Sequence, residues 1–585
     1  MSRSTGMLYD LWPAERQAPV INTQQWRVAP PPPDGFRLDL DGVAGSLRGP
    51  LPARLLYNRG IRSSVAAKQF LNPTASALSD PFAMPDMDKA ARRLLQAIRA
   101  DEPVGVFGDF DVDGLTGTAV VLETIRHLGG RSMPYIPHRE QDGHGLSIQA
   151  IEAFVSAGVK LLITVDTGTT AIDEVRAARQ AGIETIITDH HLTDGDLPAA
   201  LAIVNPHLAS EAGTEFSGSG VAFKLAQAVC SLAGVDWPGP IIALAALGTI
   251  ADSAPLTGEN RTIVREGLEE LGRTRHAGLR ALLECSRPRG SHGRPDTELI
   301  SFYVAPRLNA PGRLGDAEPS MRILTTDDPN EAAILASRLD SLNNERKRLG
   351  EQAWEAAMSQ LARLGTDEPV TVVRCDGFPA GLLGPLAGRL CDRYGRPAIA
   401  YAVDDGIARA SARSLPAFDI HASLQPHGAE LERFGGHARA AGFTVRLDRL
   451  NGLVDSIRGR AAWAMMGAGS GPVLDIDAEA PLESIGASMW DFVKVMEPFG
   501  EANTQPLLVS RGLSPTNVRT IGRDAKHLRI TLECNGRKAD AIGFGLGEAD
   551  LGRGNVDVVY SLRTDNWNGQ VRKELQLRDI RPSTP

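Results

Sequence analysis

Residues 104–114 read Val-Gly-Val-Phe-Gly-Asp-Phe-Asp-Val-Asp-Gly, and this stretch decides the fold. The short apolar run Val104 to Phe107 has the length of a buried strand, which the glycine and acidic residues then end. A helical pattern follows it. Because strand followed by helix is the repeating unit of parallel α/β sheets, we expect an α/β domain here. Such sheets bind ligands at the carboxyl ends of their strands, so the acidic residues lie in a functional position.

The acidic residues after this strand are Asp109, Asp111 and Asp113, at every second position. On an extended chain, alternate side chains project to the same side, so the three carboxylates would need a cation. A solvated acidic turn is one alternative, and a calcium loop of the D-x-D-x-D-G type is another. The calcium loop needs a glutamate six residues after its glycine, but Val120 stands there. We therefore favour a catalytic metal site.

Further carboxylates follow other apolar runs. Asp166 follows the run ending at Val165, Asp189-His190-His191 follows Thr188, and Asp252 ends an apolar helical run from Ile241. Taken singly, Asp189 could be an N-cap and either histidine a core residue. Together, carboxylates and imidazole suit two manganese or magnesium ions, and mixed oxygen and nitrogen ligands favour manganese. Two ions about 3.5–4 Å apart can clamp a phosphodiester, activate water and stabilise the leaving oxygen. The sequence therefore predicts hydrolysis of a phosphodiester.

The rest of the chain divides by composition into further units. Residues 1–75, with Pro30 to Pro33, are interpreted as an extension and linker, and residues 76–327 as the catalytic α/β domain. Asp328, Pro329 and Glu331 form the pattern of an N-cap, a first-turn proline and a capping-box acid, which predicts a connecting helix over 328–365. A second α/β lobe is expected over 366–465. After the Gly/Ser-rich linker 467–471, the short strands of 472–585 predict a β-barrel.

Composition limits the cellular setting. The net charge of -9, from 62 basic and 71 acidic residues, argues weakly against a nucleic-acid partner, but it leaves room for a local basic groove. No apolar run is long enough to span a bilayer and no secretion signal is evident, so we expect a cytoplasmic protein without a membrane role. The five cysteines form no C-x-x-C pair, which disfavours a zinc ribbon.

The motifs resemble a known superfamily. Asp111-Val112-Asp113-Gly114, Asp189-His190-His191 and Asp252 are similar to the DHH phosphoesterases. Thr167, Phe378, Ala502 and Thr504 depart from the usual residues. Most of the chain after about residue 50 resembles the RecJ family in particular, through the segments Leu56–Gly60, Val204–Pro206, Gly220–Lys224, Ala305–Asn309, Gly312–Gly315, Ser411–Ser414, Phe434–His437, Ala440–Gly442 and Asn566–Gly569.

This resemblance implies roles for individual residues. The metal ligands would be Asp111, Asp113, Asp166, His190 and Asp252, with Asp109 as a further member. His191 would contact the scissile phosphate, beside Asp189, and His437 would face it from the second lobe. The expected substrate-binding residues, which include arginines suited to gripping two phosphate oxygens at once, are Arg139, Arg307, Asn309, Arg313, Ser411, Arg413, Gly435, Gly436 and Trp567.

The resemblance also implies an activity. It predicts a two-lobed DHH and DHHA1 core with an OB-like barrel, and 5′-to-3′ hydrolysis of single-stranded DNA to 5′-mononucleotides in repair and recombination. A RecQ-type helicase and a single-strand-binding protein would be partners. One alternative is a DHH enzyme that cleaves short RNA or small nucleotides, which generally has the two lobes alone. Another alternative is an inactive relative that acts as a single-strand-binding scaffold.

Overall fold

The computed structural model describes residues 25–40, 49–139, 142–143, 145–193, 195–209, 215–288, 293–364, 368–466, 473–522, 525–567 and 570–583. For residues 565–567 and 570–571 the description covers the backbone alone. Within these residues, no helix combines the length and the apolar character needed to cross a membrane.

The N-terminal segment packs on the C-terminal part of the chain. It contains β1 (Gln25–Val28), α1 (Pro50–Asn58) and α2 (Ser64–Leu71). Strand β1 pairs in parallel with Val473–Ile476, and both helices contribute to the apolar core of the C-terminal barrel. The interpretation of this segment as a linker is therefore wrong for its described residues. Its apolar faces are covered by residues far along the chain, which local composition does not reveal.

The first α/β domain is built on a parallel sheet with the strand order β3-β2-β4-β5-β6. The strands predicted from Val104, Leu161 and Thr185 are confirmed as β2, β4 and β5. The elements of the domain are α3 (Met87–Arg99), β2 (Val104–Gly108), α4 (Val112–His127), β3 (Ser132–Tyr135), α5 (Ile148–Ser156), β4 (Leu161–Val165), α6 (Ile172–Gln180), β5 (Glu184–Thr188), β6 (Ala202–Val204), α7 (Gly218–Ala233), α8 (Pro240–Ala251), α9 (Gly258–Arg273), α10 (Ala277–Ser286), α11 (Thr297–Leu299), a π-helical turn (Ile300–Val304), α12 (Ala305–Leu314) and α13 (Glu318–Thr325).

The predicted connecting helix is confirmed as α14 (Pro329–Leu364). The Asp328 carboxylate accepts from the backbone N–H of Asn330 at 2.9 Å, as an N-cap should. The prediction of a capping box is wrong, because the Glu331 carboxylate accepts from the Thr326 hydroxyl and pairs with Arg322 instead. The Asp328 N–H reaches the Thr326 hydroxyl at 3.3 Å. The acid therefore ties the helix start to the preceding loop.

The second lobe is a mixed sheet with the strand order β10-β11-β9-β8-β7. Only β7 and β8 pair in parallel, and the other neighbours are antiparallel. Strand β10 lies at one edge of this sheet and carries the predicted Gly-Gly-His motif. The elements are β7 (Thr371–Arg374), α15 (Leu383–Tyr394), β8 (Ala398–Asp404), β9 (Ile407–Arg413), α16 (Ile420–Leu424), β10 (Leu431–His437), β11 (Ala440–Arg446) and α17 (Leu447–Met466).

The C-terminal part is a closed barrel, as predicted. Its strands follow the order β13-β14-β15-β16-β18-β17, and the pairing of β14 with β17 closes the ring. Its elements are β12 (Val473–Ile476), β13 (Ala478–Glu479), α18 (Ala487–Val495), β14 (Leu508–Ile521), β15 (His527–Cys534), β16 (Arg537–Gly543), β17 (Val556–Trp567) and β18 (Gln570–Pro582). The predicted fold class, two α/β lobes joined by a long helix and followed by an OB-like barrel, is confirmed.

Candidate active site

The neighbouring strands β2, β4 and β5 end level with one another. Their register pairs Gly108 with Val165 and Val165 with Thr188. The next residues along the chain are Asp109, Asp166 and Asp189, so three carboxylates leave the sheet side by side. This is the convergence at one sheet edge that the sequence predicts.

Asp111 and Asp113 reach the same place by a different route from the one predicted. The chain is not extended here: Asp111 caps α4 by accepting from the N–H groups of Asp113 and Gly114 at 3.0 and 3.1 Å. Asp113 lies in the first turn, and its carboxylate accepts from the N–H groups of Gly218 and Ser219 at 2.6 and 2.9 Å. The N-terminus of α7 therefore holds the Asp113 carboxylate in position.

Asp252 completes the cluster from the end of α8. It follows the last residue of that helix, as the apolar run from Ile241 predicts. Helix α8 passes so close to the site that a Cβ on Gly248 would lie 2.5 Å from Asp113 Oδ1. Glycine at position 248 thus lets the helix approach the carboxylates.

Potential ligand atoms form three overlapping groups. They combine Asp109, Asp111 and Asp166; Asp113, His190 and Asp252; and Asp166, His190 and His191, with the atoms of each group within 4.8 Å of one another. Asp166 and His190 each belong to two groups. The buried Oδ1 of Asp166 accepts no hydrogen bond from the described residues, yet it lies 3.0 Å from His190 Nε2. The donor set fits two adjacent divalent cations with shared ligands.

The electrostatics of the cluster support this assignment. Burial, reinforced by the charges of Asp113 and Asp111, raises the pKa of Asp166 well above its ordinary value. Burial likewise raises the pKa of Asp109 and of Asp252. For His190, burial alone would lower the pKa, but the charges of Asp252 and Asp113 outweigh it and the pKa is raised. These carboxylates repel one another without a cation, so bound metal ions would stabilise their ionised forms.

His191 is held by Asp189. Its Nδ1–H donates to Asp189 Oδ1 at 2.7 Å, and the other carboxylate oxygen accepts from the Thr169 N–H at 3.0 Å. Burial opposes charge on His191, but the bond to Asp189 and nearby carboxylates raise its pKa to about 9. Burial would raise the pKa of Asp189, but the hydrogen bond and charge of His191, together with the bonds from Thr169, outweigh it and the pKa is lowered. The imidazole therefore has a fixed orientation and favours its charged form.

The second lobe brings His437 opposite His191. The two rings are nearly parallel, at 6°, and their centroids are 6.4 Å apart. Burial, and then the charge of His191, lower the pKa of His437. Gly436 precedes it with φ +130, and a Cβ there would lie 2.3 Å from the Ala440 carbonyl, so glycine is required. Gly435 is exposed beside it.

Arginines from both lobes gather next to the carboxylates. The Arg139 guanidinium lies 4.1 Å from the Phe110 ring centroid, and burial, together with the charge of Arg313, lowers its pKa to about 10. Arg313 donates to the Gly381 carbonyl of the second lobe at 3.2 Å. Arg413 donates to the Ser411 hydroxyl at 3.1 Å, and its charge also acts on Arg139. Like charges this close favour a bound anion, such as a phosphate.

For three predicted substrate-binding residues, the described contacts do not show a place in this cluster. Arg307 pairs with Asp340 of α14 at 2.6 Å and donates to the Tyr303 carbonyl, which favours a structural role. Asn309 is half-buried on α12. The side chain of Trp567 lies outside the described residues, although its backbone ends β17.

Sequence reasoning gave no role to two supports of the site. Asn205 donates to the His191 carbonyl at 3.0 Å and to the Thr169 hydroxyl at 3.2 Å, so it fixes the backbone of His191. Gly218 and Ser219 hold Asp113. The signals were present as Val204-Asn205-Pro206 and as a Gly/Ser-rich run before a helix, but neither indicates which side chain it serves.

Comparisons with known proteins agree with this geometry. Family models match residues 103–249 (DHH family, N-terminal domain), 367–462 (DHHA1 domain) and 476–579 (RecJ OB domain). The single-stranded-DNA-specific exonuclease RecJ of Bacillus subtilis is 35% identical over 91% of this chain and 68% of its own length. The Escherichia coli protein of the same name is 30% identical over 91% of this chain and 96% of its own length.

A solved structure is similar over nearly the whole chain. The crystal structure of RecJ in complex with Mn²⁺ from Thermus thermophilus matches with a TM-score of 0.82 and 30% identity, covering 97% of this chain and 80% of that one. Fold, ligand set and family models together define a metal-dependent phosphoesterase of the DHH and DHHA1 class. The identity to relatives across all domains narrows the class further. The chain belongs to the RecJ family.

Proposed function

We propose that this protein is a metal-dependent exonuclease that hydrolyses single-stranded DNA from the 5′ end and releases 5′-mononucleotides. The observation that carries the proposal is the gathering of carboxylates and His190 at the level strand ends, with His437 and Arg413 supplied by the second lobe. The related RecJ proteins are named as single-stranded-DNA-specific exonucleases. The repair and recombination roles of the family come with the same proposal.

The metal site would use Asp109, Asp111, Asp113, Asp166, His190 and Asp252. When bound, two manganese or magnesium ions would supply electrostatic stabilisation of the phosphate and a more acidic water. The chain's own residues do the rest. His191, oriented by Asp189, would donate to a phosphate oxygen, and His437 would face the same phosphate from the other lobe. Arg139, Arg313, Ser411 and Arg413 would hold neighbouring phosphates, including the 5′ end.

Single-strand specificity would be steric. Arg313 touches the second lobe at Gly381, and the His191 and His437 rings are close, so the cleft between the lobes is narrow at the site. A duplex is far wider than one strand and would not enter. The OB-like barrel would hold the same strand by phosphate contacts and base stacking.

The deciding experiment is manganese-dependent release of mononucleotides from a 5′-phosphorylated single strand. Wild type is compared with Asp113→Ala, with 5′- and 3′-labelled strands and blunt duplex beside it. Activity in wild type and loss of at least ~100-fold in the variant support the proposal. Equal digestion of blunt duplex would contradict strand specificity, and hydrolysis restricted to short oligonucleotides would favour the small-nucleotide alternative. Binding without turnover at any metal concentration would favour a scaffold.

The cellular context is part of the proposal. Since the substrate is DNA, we propose a cytoplasmic protein that acts where a RecQ-type helicase supplies single strands and a single-strand-binding protein covers them. Pull-down of the purified chain with each partner, with and without DNA, tests these contacts. Absence of both interactions would leave the nuclease to act alone.

A further inference from the structure

The turn of residues 496–504, between α18 and β14, lies where the N-terminal segment, the first domain and the barrel meet. The Leu256 N–H donates to the Glu501 carbonyl at 2.8 Å, and the Thr297 hydroxyl donates to the Phe499 carbonyl at 2.8 Å. Leu256 follows the proposed metal ligand Asp252 closely. Thr297 begins the segment that leads into α12, which carries Arg313. The turn therefore contacts the segment that follows a proposed metal ligand and the segment that leads to a proposed phosphate-binding arginine.

Arg261 of α9 grips this turn. Its side chain is 1% exposed and donates to the carbonyls of Met496, Glu497 and Pro498 at 2.9, 2.8 and 3.2 Å. It also donates to the Phe70 carbonyl at 2.8 Å, with its guanidinium 4.0 Å from the Phe70 ring centroid. Burial lowers its pKa to about 9. A buried guanidinium is costly, and four carbonyl acceptors offset that cost only while the turn stays in place.

The turn is also held by Asn503 within it, and through Asn503 by the N-terminal segment and the barrel. The Asn503 amide donates to the Met496 and Pro498 carbonyls at 3.0 and 2.8 Å. Arg59 donates to the Asn503 side-chain oxygen at 3.2 Å and pairs with Asp477 at 3.0 Å. Asp477 in turn accepts from the Leu507 N–H at 2.9 Å, directly before β14. Hydrogen bonds thus run without a break from the catalytic domain into the barrel.

We propose that Arg261 is a positioning residue that fixes the barrel against the catalytic domain, so that a strand held by the barrel is presented to the metal site in one register. The inference rests on the proposed exonuclease function. Two binding sites on one chain raise the affinity for a ligand that spans both, and this gain depends on their geometry. A substrate too short to reach the barrel gains nothing from it. Loosening the turn should therefore penalise long strands alone.

The test compares wild type, Arg261→Gln and Arg265→Gln on a trinucleotide and on a strand of about 40 nucleotides, which exceeds the span of one OB-type domain. Arg265 is the matched control, because it lies one turn further along α9 and donates to the Leu71 carbonyl at 2.7 Å and to Asn72, in the N-terminal segment. For Arg261→Gln we expect the KM of the long strand to rise by about tenfold or more. The kcat on the trinucleotide should stay at the wild-type value, and Arg265→Gln should keep the wild-type length preference.

A second readout does not depend on turnover. Fluorescence anisotropy of the same two oligonucleotides with metal-free protein should show weaker binding of the long strand to Arg261→Gln and unchanged binding of the trinucleotide. Thr297→Val removes a single contact to the turn and should also raise the KM of the long strand. This variant provides the test if Arg261→Gln fails to fold. The inference would be overturned if Arg261→Gln lowered kcat/KM equally on both oligonucleotides, or if it kept the wild-type preference for the long strand. Wild type inactive on both substrates would overturn the proposed function instead, while the binding measurement would still test the coupling.

Discussion

At the scale of single residues, Asp189 allows the orientation of His191 to be tested without changing a proposed metal ligand. Asp189 is buried, and its carboxylate engages the His191 ring and the Thr169 N–H. Replacement by asparagine keeps the size but removes the charge that holds the imidazole. We expect Asp189→Asn to lower kcat by ~10–100-fold, as for other residues that orient active-site ligands. Steady-state hydrolysis of a labelled single strand measures this.

The control is Asp173→Asn, which changes an exposed aspartate paired with Arg176 on α6. Such surface pairs contribute little, so activity and thermal stability should match wild type. If Asp189→Asn kept full activity while His191→Ala lost it, the histidine would not need its carboxylate partner.

His276 offers a residue-scale prediction on pH and stability. It is 6% exposed, and its Nδ1 accepts from the Leu279 N–H at 3.2 Å, which requires the neutral ring. Burial lowers its pKa, although Asp327 opposes this. The unfolded state therefore takes up a proton near pH 6.5 before the folded state does, so the free energy of unfolding falls as pH decreases below about 6.5. We expect this loss to approach ~1 kcal/mol, about the contribution of one N-cap.

His276→Asn retains a capping side chain without a titrating ring. Its free energy of unfolding, measured by urea denaturation between pH 5 and 8, should vary less with pH than that of wild type. At pH 8 the two proteins should differ by less than ~1 kcal/mol, because asparagine still caps the helix. Parallel pH profiles for both proteins would show that another group causes the dependence.

At the scale of elements, two helical glycines should respond with opposite signs to the same substitution. Gly350 lies within α14, and an added Cβ would meet nothing within 4 Å. Gly350→Ala should stabilise the chain by about 0.5–1 kcal/mol, since alanine loses less backbone entropy in a helix. In α8, a Cβ on Gly248 would lie 2.2 Å from Ser219 Oγ and 2.5 Å from Asp113 Oδ1. Gly248→Ala should therefore displace the proposed metal ligand Asp113 and lower activity sharply.

Thermal unfolding and manganese titration of the activity would separate the two effects. Gly350→Ala should keep the wild-type manganese dependence, and Gly248→Ala should need more manganese or fail to respond. An active Gly248→Ala enzyme with normal manganese dependence would mean that α8 can move away from Asp113 without loss.

The helices and strands also show which parts of the fold can be predicted from the sequence. The strands β2, β4 and β5 are predictable because each contains a short run of buried, mainly apolar or β-branched residues with a carboxylate directly after it, and their convergence follows from parallel topology. The helical placement of Asp113 was missed, because alternating acids fit an extended chain equally well. The helix starts here because Asp111 is its N-cap and because Gly114 packs closely against Asp109. A Cβ added at position 114 would lie 2.6 Å from the Asp109 nitrogen.

Other parts of the site depend on contacts between distant segments. The role of Asn205 and the α7 N-terminus could not be read from spacing, because each serves a side chain from another element. Arg307 illustrates the converse: its residue type suits phosphate, but Asp340 of α14 supplies a partner that only tertiary structure reveals. Residue type therefore predicted the chemistry of the site better than it predicted which arginines belong to it.

At the scale of the whole molecule, the negative total charge does not describe the surface that a strand would meet. The net charge is -9, yet Arg139, Arg313 and Arg413 gather beside the carboxylate cluster from two lobes. Bound cations would also reverse the sign of the carboxylate cluster itself. A local field set by a few residues can thus bind a polyanion on an acidic protein.

The last prediction concerns the N-terminal segment, which completes the barrel core from the other end of the chain. Leu56 of α1 is 0% exposed within the same apolar cluster as Leu508, Val558 and Tyr560 of the barrel. Leu56→Ala should destabilise the barrel by about 2–5 kcal/mol, because it leaves a cavity between two segments that the linear chain keeps far apart. Val65→Ala in α2 is the control, since Val65 is 68% exposed and its truncation should change stability by less than ~0.5 kcal/mol. Trp490 packs against this core, so the barrel contributes to the change in tryptophan fluorescence during denaturation, beside the other six tryptophans. If Leu56→Ala unfolded at the same denaturant concentration as Val65→Ala, the barrel would fold independently of the N-terminal segment. The contacts of Leu56 in the shared core would then add nothing measurable to the free energy of unfolding.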